Sequence, residues 1–230
     1  MKAVGFDLGR TLISYGDVPL SWESLYKKAL SSTLLKCGCE ENIDKIAVGE
    51  EILSKYNTRI NYREIEVSSD VIFSEIIEKW NLSKEIPLSV FKRNFFGFFQ
   101  RNVLLFSDTI SSLQTLKKMS IKTGILTDVP YGMDKEFVLL DVEPFEELID
   151  VLLTSVDVGY RKPNVQGYMK LACKFGVKPE DMIYVGDEPK DILGANNAGM
   201  VSVLIERGST GLDLGQKETI KDLKELINLV

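Results

Sequence analysis

Four stretches of this 230-residue chain carry side chains able to do chemistry: VGFDLGRTL near its start, ILTD around residue 127, GYRKPN around 162 and GDEPKD around 188. Each follows or ends a short apolar run with a charged or hydroxyl group: Asp7, Thr127, Lys162 and Asp187, with Glu188 and Asp191 close behind. Histidine is absent. Ser/His/Asp triads, Cys/His pairs, imidazole zinc sites and histidine bases are thereby excluded. Acid–base or nucleophilic work falls to carboxylates, lysine, tyrosine, serine, threonine or cysteine. The three cysteines, Cys37, Cys39 and Cys173, lack the second pair that a structural zinc site needs, and read as reduced, unpaired thiols.

Backbone elements must bring those stretches together. Five apolar runs rich in β-branched residues, KAVGF near 3, KTGIL near 123, DVLLT near 152, MIYVG near 183 and VSVLI near 202, read as buried strands. From the second onward, segments of helical periodicity separate them; in NVQGYMKLACKFGV, Val165, Tyr168, Met169, Ala172 and Cys173 share a face. Such alternation implies an α/β fold: a three-layer, Rossmann-like core with a parallel five-stranded sheet and right-handed crossovers. Ligands of such sheets bind beyond the carboxyl ends of the strands, where Asp7, Thr127, Lys162 and Asp187 are expected.

More than a hundred residues separate the first two strands, where one helix would suffice. Within them SWESLYKKALSSTLLKCG, IDKIAVGEEILSKYN, SSDVIFSEIIEKWN and PLSVFKRNFFGFFQRN read as helices of an inserted α-helical subdomain. A further helix, DTISSLQTLKKMS, leads back to the second strand. The expected division is a core of residues 1–15 and 103–230 and a helical insertion of 16–102. FFGFF at 95–99 and Trp80 read as bundle core, and Lys55, Arg59 and Arg63 as exposed helix face. The C-terminal ETIKDLKELINLV reads as an amphipathic helix closing the core through Ile220, Leu223, Leu226 and Ile227.

An apolar content of 44%, a charged content of 27% and a net charge of −6 describe an ordinary globular protein with an acidic surface. Nucleic acid is not an expected partner, since phosphate-backbone affinity needs a basic patch. No apolar stretch approaches spanning length and no signal-peptide core is visible, so no membrane partner and a cytoplasmic address are expected. The oligomeric expectation is a monomer or homodimer.

The succession LTD, then SVDVGYRKP, then YVGDEPKDILGANNAGM resembles the haloacid dehalogenase superfamily of aspartate-nucleophile phosphohydrolases. The resemblance is to the branch with a helical cap inserted after the first strand, phosphoglycolate phosphatase or phosphonatase-like. It is strong from about residue 105 to 208 and weak in the insertion. It implies that Asp7 attacks phosphorus to form an acyl phosphate. It implies that Thr127 and Lys162 bind the phosphoryl group, with Asp128 beside them. Mg2+ is the implied cofactor, held by Asp7, the Gly9 carbonyl and Asp187, with Asp191 and, as an added possibility, Glu188 in support. Carboxylates converging on a phosphate need such a counterweight. The implied substrate is a small phosphorylated metabolite.

Two positions depart from that pattern. Where these phosphatases carry a second aspartate that protonates the leaving group, this chain has Gly9, and Arg10, a further possible site residue, replaces the usual glycine. General acid assistance is worth about 10²- to 10⁴-fold, or roughly 3 to 5.5 kcal/mol. Acyl and aryl phosphates, whose leaving groups are stable anions, tolerate its loss better than alkyl phosphates. Three readings stay open: a phosphohydrolase slow or restricted in leaving group, with Asp128 or a residue of the insertion as substitute acid; a phosphonatase-like or dehalogenase reaction; and a silent phosphate- and metal-binding domain. Asp128 has an alternative role as helix cap.

Overall fold

The structure is a computed structural model and describes residues 1–100, 103–208 and 211–230. In chain order its elements are β1 (Ala3–Phe6), β2 (Ile13–Ser14), α1 (Tyr26–Lys36), α2 (Ile43–Tyr56), α3 (Ser69–Lys79), α4 (Leu88–Phe99), β3 (Leu104–Leu105) and α5 (Thr109–Lys118). There follow β4 (Lys122–Thr127), α6 (Lys135–Val142), β5 (Val151–Thr154), α7 (Ser155–Val158), α8 (Val165–Phe175), β6 (Met182–Gly186), α9 (Pro189–Asn197), β7 (Val201–Ile205) and β8 (Glu218–Ile220). The chain divides into two compact units, Met1–Ser14 with Leu104–Asp128 and Val142–Val230, and Tyr15–Val103 with Val129–Asp141.

In the first unit six strands form a parallel sheet in the order β5-β4-β1-β6-β7-β8, and β2 and β3 pair antiparallel in a separate two-stranded sheet. β1 is all buried and lies between β4 and β6, in register Phe6 with Ile125 and Phe6 with Val185. Glycines let α8 sit close on this sheet: a Cβ on Gly5 would lie 2.7 Å from Leu171, and one on Gly124 2.6 Å from Phe175. Leu171, Phe175, Tyr168 and Ala172 are therefore the buried face of α8, whereas Met169 is 45% exposed and Cys173 is also exposed. Of the expected face, Tyr168 and Ala172 are in the core, whereas Met169 and Cys173 are turned away from it. The sheet also has a sixth strand. Glu218–Ile220, expected to be helical, pairs with β7. Asp222 then caps a 3-10 turn, Leu223–Asn228, with a reciprocal Glu225 contact, burying Leu223 and Leu226.

The second unit packs α1 against α2 and α4, and α3 against α2 and α4. Its core is aromatic: Phe73, Phe91, Phe95, Phe96 and Phe99 are buried, and the Phe95 ring lies within 6.4 Å of those of Trp22, Phe73, Phe96, Phe99 and Tyr131. Trp80 is also core, its Nε1 donating to the Lys45 carbonyl at 2.5 Å. Arg63, expected on an exposed face, donates to the Tyr56 carbonyl and pairs with Glu66, its side chain 18% exposed. The expected end of the fourth helix at Arg101 and Asn102 lies outside the described residues.

Residues Val129–Asp141, expected in the sheet core, belong to this helical unit. Tyr131 meets the rings of Trp22 and Tyr26 and hydrogen-bonds the Tyr26 hydroxyl. Gly132 has φ 58°, and a Cβ there would lie 2.0 Å from the Val67 carbonyl oxygen. Asp134 accepts from Ser69 Oγ and pairs with Lys92.

Candidate active site at the carboxyl edge of the sheet

The centre of the site follows from the position of β1. Asp7 is one residue past that strand, and its N–H still donates to the Val185 carbonyl at 2.8 Å, continuing the β6 ladder. The chain then folds back. Leu12 and Ile13 N–H both donate to the Leu8 carbonyl, and Arg10 N–H donates to Ile13. The turn places Arg10 at φ 61°, in the left-handed region. Thr127 ends β4, two residues beyond the partner of Phe6, so it too lies at this edge, 7% exposed.

Lys162 ties the edge together. It is 3% exposed, and its Nζ donates to Asp7 Oδ1 at 2.5 Å and to Asp191 Oδ1 at 2.6 Å. The Tyr184 hydroxyl at 3.3 Å and the Leu126 carbonyl at 3.4 Å complete its surroundings. Burial alone would discharge the amine, but Asp191 and Asp7 overcome it and hold the pKa well above the usual lysine value. Asp191 spends Oδ1 on Lys162 and Oδ2 on the Glu188 N–H at 3.0 Å.

Asp187 completes a cluster of three carboxylates. One ligand atom each of Asp7, Asp187 and Asp191 lies within 4.8 Å of the others. The Asp187 side chain is 6% exposed. Burial, then the charges of Asp7 and Asp191, push its pKa up to about 7. Its Oδ2 is buried without a hydrogen-bond partner, although Arg10 Nε stands 3.2 Å away at ion-pair distance. An orphaned carboxylate oxygen facing two further carboxylates is a donor set that suits a hard divalent cation.

Two expected roles are corrected. Asp128 is neither a helix cap nor a side chain free to meet phosphate: Oδ1 accepts the Lys162 N–H at 3.0 Å, and Oδ2 lies 3.1 Å from Lys190 Nζ and 3.8 Å from Arg161. Burial would raise its pKa, but Lys190, Arg161 and Lys162 outweigh that and lower it to about 2, so it has no proton to give at neutral pH. Glu188 lies outside the carboxylate cluster found among the described residues. It caps α9 in a reciprocal arrangement with Asp191 and pairs with Lys190 at 3.2 Å.

Three further residues support the site. Tyr184 fixes Lys162 from below while donating to the Leu126 carbonyl at 2.7 Å. Gly186 makes room for Asp191, whose Cβ and Cγ would lie 2.4 Å from any added Cβ. Arg207 donates to Asp108 at 2.6 Å and to the Thr11 carbonyl at 2.5 Å, buttressing the turn that follows Asp7. Tyr184 and Gly186 stand within the YVGDEPKD stretch, which does not announce these roles; Arg207 gives no local signal.

The pattern of the haloacid dehalogenase-like hydrolases matches residues 45–205, a span that holds Thr127, Lys162, Asp187 and Asp191. A glyceraldehyde 3-phosphate phosphatase of Methanopyrus kandleri is 38% identical over 112 residues, 45% of this chain and 44% of that protein. The chain thus aligns with less than half of that relative's length. The protein of the same name from Methanothermobacter thermautotrophicus is 27% identical over 99% of this chain and 100% of its own. Among solved structures, a HAD phosphatase from Thermococcus onnurineus has a TM-score of 0.68 at 23% identity, covering 100% of this chain and 97% of that one. A 2-haloacid dehalogenase from Pseudomonas syringae has a TM-score of 0.70 at 20% identity, with the same coverage. At those identities the structures speak to the fold: an α/β, Rossmann-like core. No helix among the described residues is long and apolar enough to cross a membrane. With the family pattern spanning most of its length, the chain belongs to the haloacid dehalogenase-like hydrolases.

Proposed function

We propose that the chain is an Mg2+-dependent phosphohydrolase of small phosphorylated metabolites, with Asp7 accepting the phosphoryl group. The observation that carries this reading is the buried Lys162 ammonium gripping Asp7 and Asp191 beside Asp187. Mg2+ held by Asp7, Asp187 and the Gly9 carbonyl would neutralise charge on the transferring phosphoryl group. A carboxylate oxygen of Asp7 attacks phosphorus as the bond to the leaving oxygen breaks, giving an aspartyl phosphate. Water then cleaves the acyl phosphate, returning phosphate and the free carboxylate. Lys162 stays charged throughout, orienting Asp7 and balancing the phosphate, with Thr127 donating to a phosphoryl oxygen. Asp191 positions Lys162. Relatives named for glyceraldehyde 3-phosphate and phosphoglycolate support a small metabolite as substrate.

Gly9 sets the restriction. Asp128 is held ionised, so leaving groups that depart without a proton are favoured: acyl phosphates over alkyl phosphates. Gly9→Asp is expected to raise alkyl phosphate hydrolysis tenfold or more, in line with general-acid contributions of about 10²- to 10⁴-fold; an unchanged kcat would place the limit elsewhere. Asp128→Asn should leave the pH profile of turnover in place. The same absence of an acid favours a second reading, a domain that binds phosphate and metal without turnover. Acetyl phosphate decides between them: stoichiometric labelling of the intact protein, lost in Asp7→Asn, supports the enzyme, and metal binding with no label supports the silent domain.

A further inference from the structure

We propose that Arg10 is a tethered cation that competes with the divalent metal for Asp187, so that this protein loads metal less tightly than its carboxylates alone would allow. The inference rests on the metal site proposed above and concerns a residue that the reading itself does not use. Lys162 already compensates Asp7 and Asp191, at 2.5 and 2.6 Å. Asp187 is the remaining carboxylate of the cluster, and the cation at its Oδ2 is Arg10, 3.2 Å away. That contact is an ion pair without an aligned hydrogen bond, so it is a pairing of charges that a better-coordinated ion can replace.

The backbone holds Arg10 there. At φ 61° its side chain leaves from the left-handed region, at the turn directly after Asp7. A guanidinium cannot withdraw its charge by losing a proton near neutral pH. It has to move. The side chain is 54% exposed and borders a cavity of about 300 Å³, shared with Asp187, Glu206, Arg207, Gly208 and Leu212. The cavity gives the guanidinium room to withdraw from Asp187 when a metal arrives, and places Glu206 among its walls. Metal entry is therefore an exchange of a monovalent for a divalent partner.

Titrating the intact protein with Mn2+, free ion followed by electron paramagnetic resonance, tests this. For a half-exposed guanidinium on a buried carboxylate, facing a doubly charged competitor, Arg10→Gln should tighten binding roughly three- to tenfold. Arg10→Lys, which keeps the charge, should stay near the wild-type affinity, and Asp187→Asn should lose binding by more than tenfold. Gln occupies the same left-handed position as Arg, so a comparable melting temperature establishes that folding is unchanged. Equal or weaker binding by Arg10→Gln, with Asp187→Asn still defective, overturns the competition and leaves the metal site standing. Equal tightening by Gln and Lys overturns it too, since charge would not be the cause. Absence of Mn2+ binding in both wild type and Arg10→Gln removes the metal site and this inference together.

Discussion

Lys162 in the sheet unit is 3% exposed and lies between two buried carboxylates, Asp7 at 7% and Asp191 at 0%. Lys92 in the helical unit also bridges two carboxylates, Asp134 at 2.7 Å and Asp70 at 2.5 Å, but those side chains are 32% and 65% exposed. The sheet unit takes charge out of water, where desolvation opposes the Coulomb gain and geometry must be tight to recover it. In the helical unit, rings fill the interior, and the carboxylates that Lys92 meets stay within reach of water. A buried ion cluster is weak evidence for stability, so its presence at the carboxyl edge of a sheet speaks for chemistry.

The strongest way to break the comparison is to remove the buried cation. Lys162→Met leaves Asp7 and Asp191 without their shared ammonium, and is expected to cost about 3 to 5 kcal/mol by urea unfolding. Adding Asp191→Asn removes one uncompensated charge and should restore part of that loss, a non-additive outcome expected of touching residues. A double variant as unstable as the sum of its parts would mean that the two groups do not act as a pair.

That pairing also marks the limit of what was legible in the sequence. Lys162 and Asp7 are 155 residues apart, yet both stand in recognisable motifs at the ends of apolar runs, so their meeting follows from parallel-sheet topology. Arg207 and Asp108, 99 residues apart, meet just as closely, but neither belongs to a run that announces it. Periodicity in VQGYMKLACKF finds Tyr168 and Ala172 on the buried face of α8 but extends it to Met169 and Cys173 rather than to Leu171 and Phe175. Gly5 and Gly124, on two other elements, open the groove that Leu171 and Phe175 fill. β8 exists through pairing with β7, and three residues with one buried side chain give no pattern to read. The transfer of Val129–Asp141 to the helical unit likewise depends on ring contacts with residues a hundred positions earlier.

The helical unit also buries a carboxyl, Asp141, that resembles those of the sheet unit. Asp141 is 3% exposed and accepts from Tyr15 at 2.7 Å and from Gln100 at 2.9 Å. Burial outweighs those hydrogen bonds and raises its pKa to about 6. A raised carboxyl means that the folded chain keeps its proton longer than the unfolded chain. Its contribution is therefore complete below about pH 4, declines as pH rises toward 6, and is lost above that. The span corresponds to roughly 3 kcal/mol. Asp141→Asn can accept from Gln100 through its oxygen and donate to the Tyr15 hydroxyl through its nitrogen, without a charge to desolvate. Melting temperatures recorded from pH 4 to 8 should show the variant gaining on the wild type as pH rises. Parallel curves would mean that Asp141 ionises as easily in the folded protein as in the unfolded one, leaving the raised carboxyls to the sheet unit.

The smallest effect belongs to Lys92. Its side chain is 12% exposed, so its stem contributes packing that methionine preserves, while its ammonium neutralises carboxylates that water already solvates. Asp134 keeps the Ser69 hydroxyl at 2.9 Å after the lysine is gone, and Asp70 lies mostly in solvent. Lys92→Met should therefore cost less than about 1 kcal/mol, and that cost should shrink as salt is added. Lys162→Met should keep most of its penalty in the same salt, because its carboxylates are shielded from the ions. A Lys92 penalty as large and as salt-resistant as that of Lys162 would show that exposure of the partners, the quantity separating the two clusters, does not govern what an ion pair is worth in this protein.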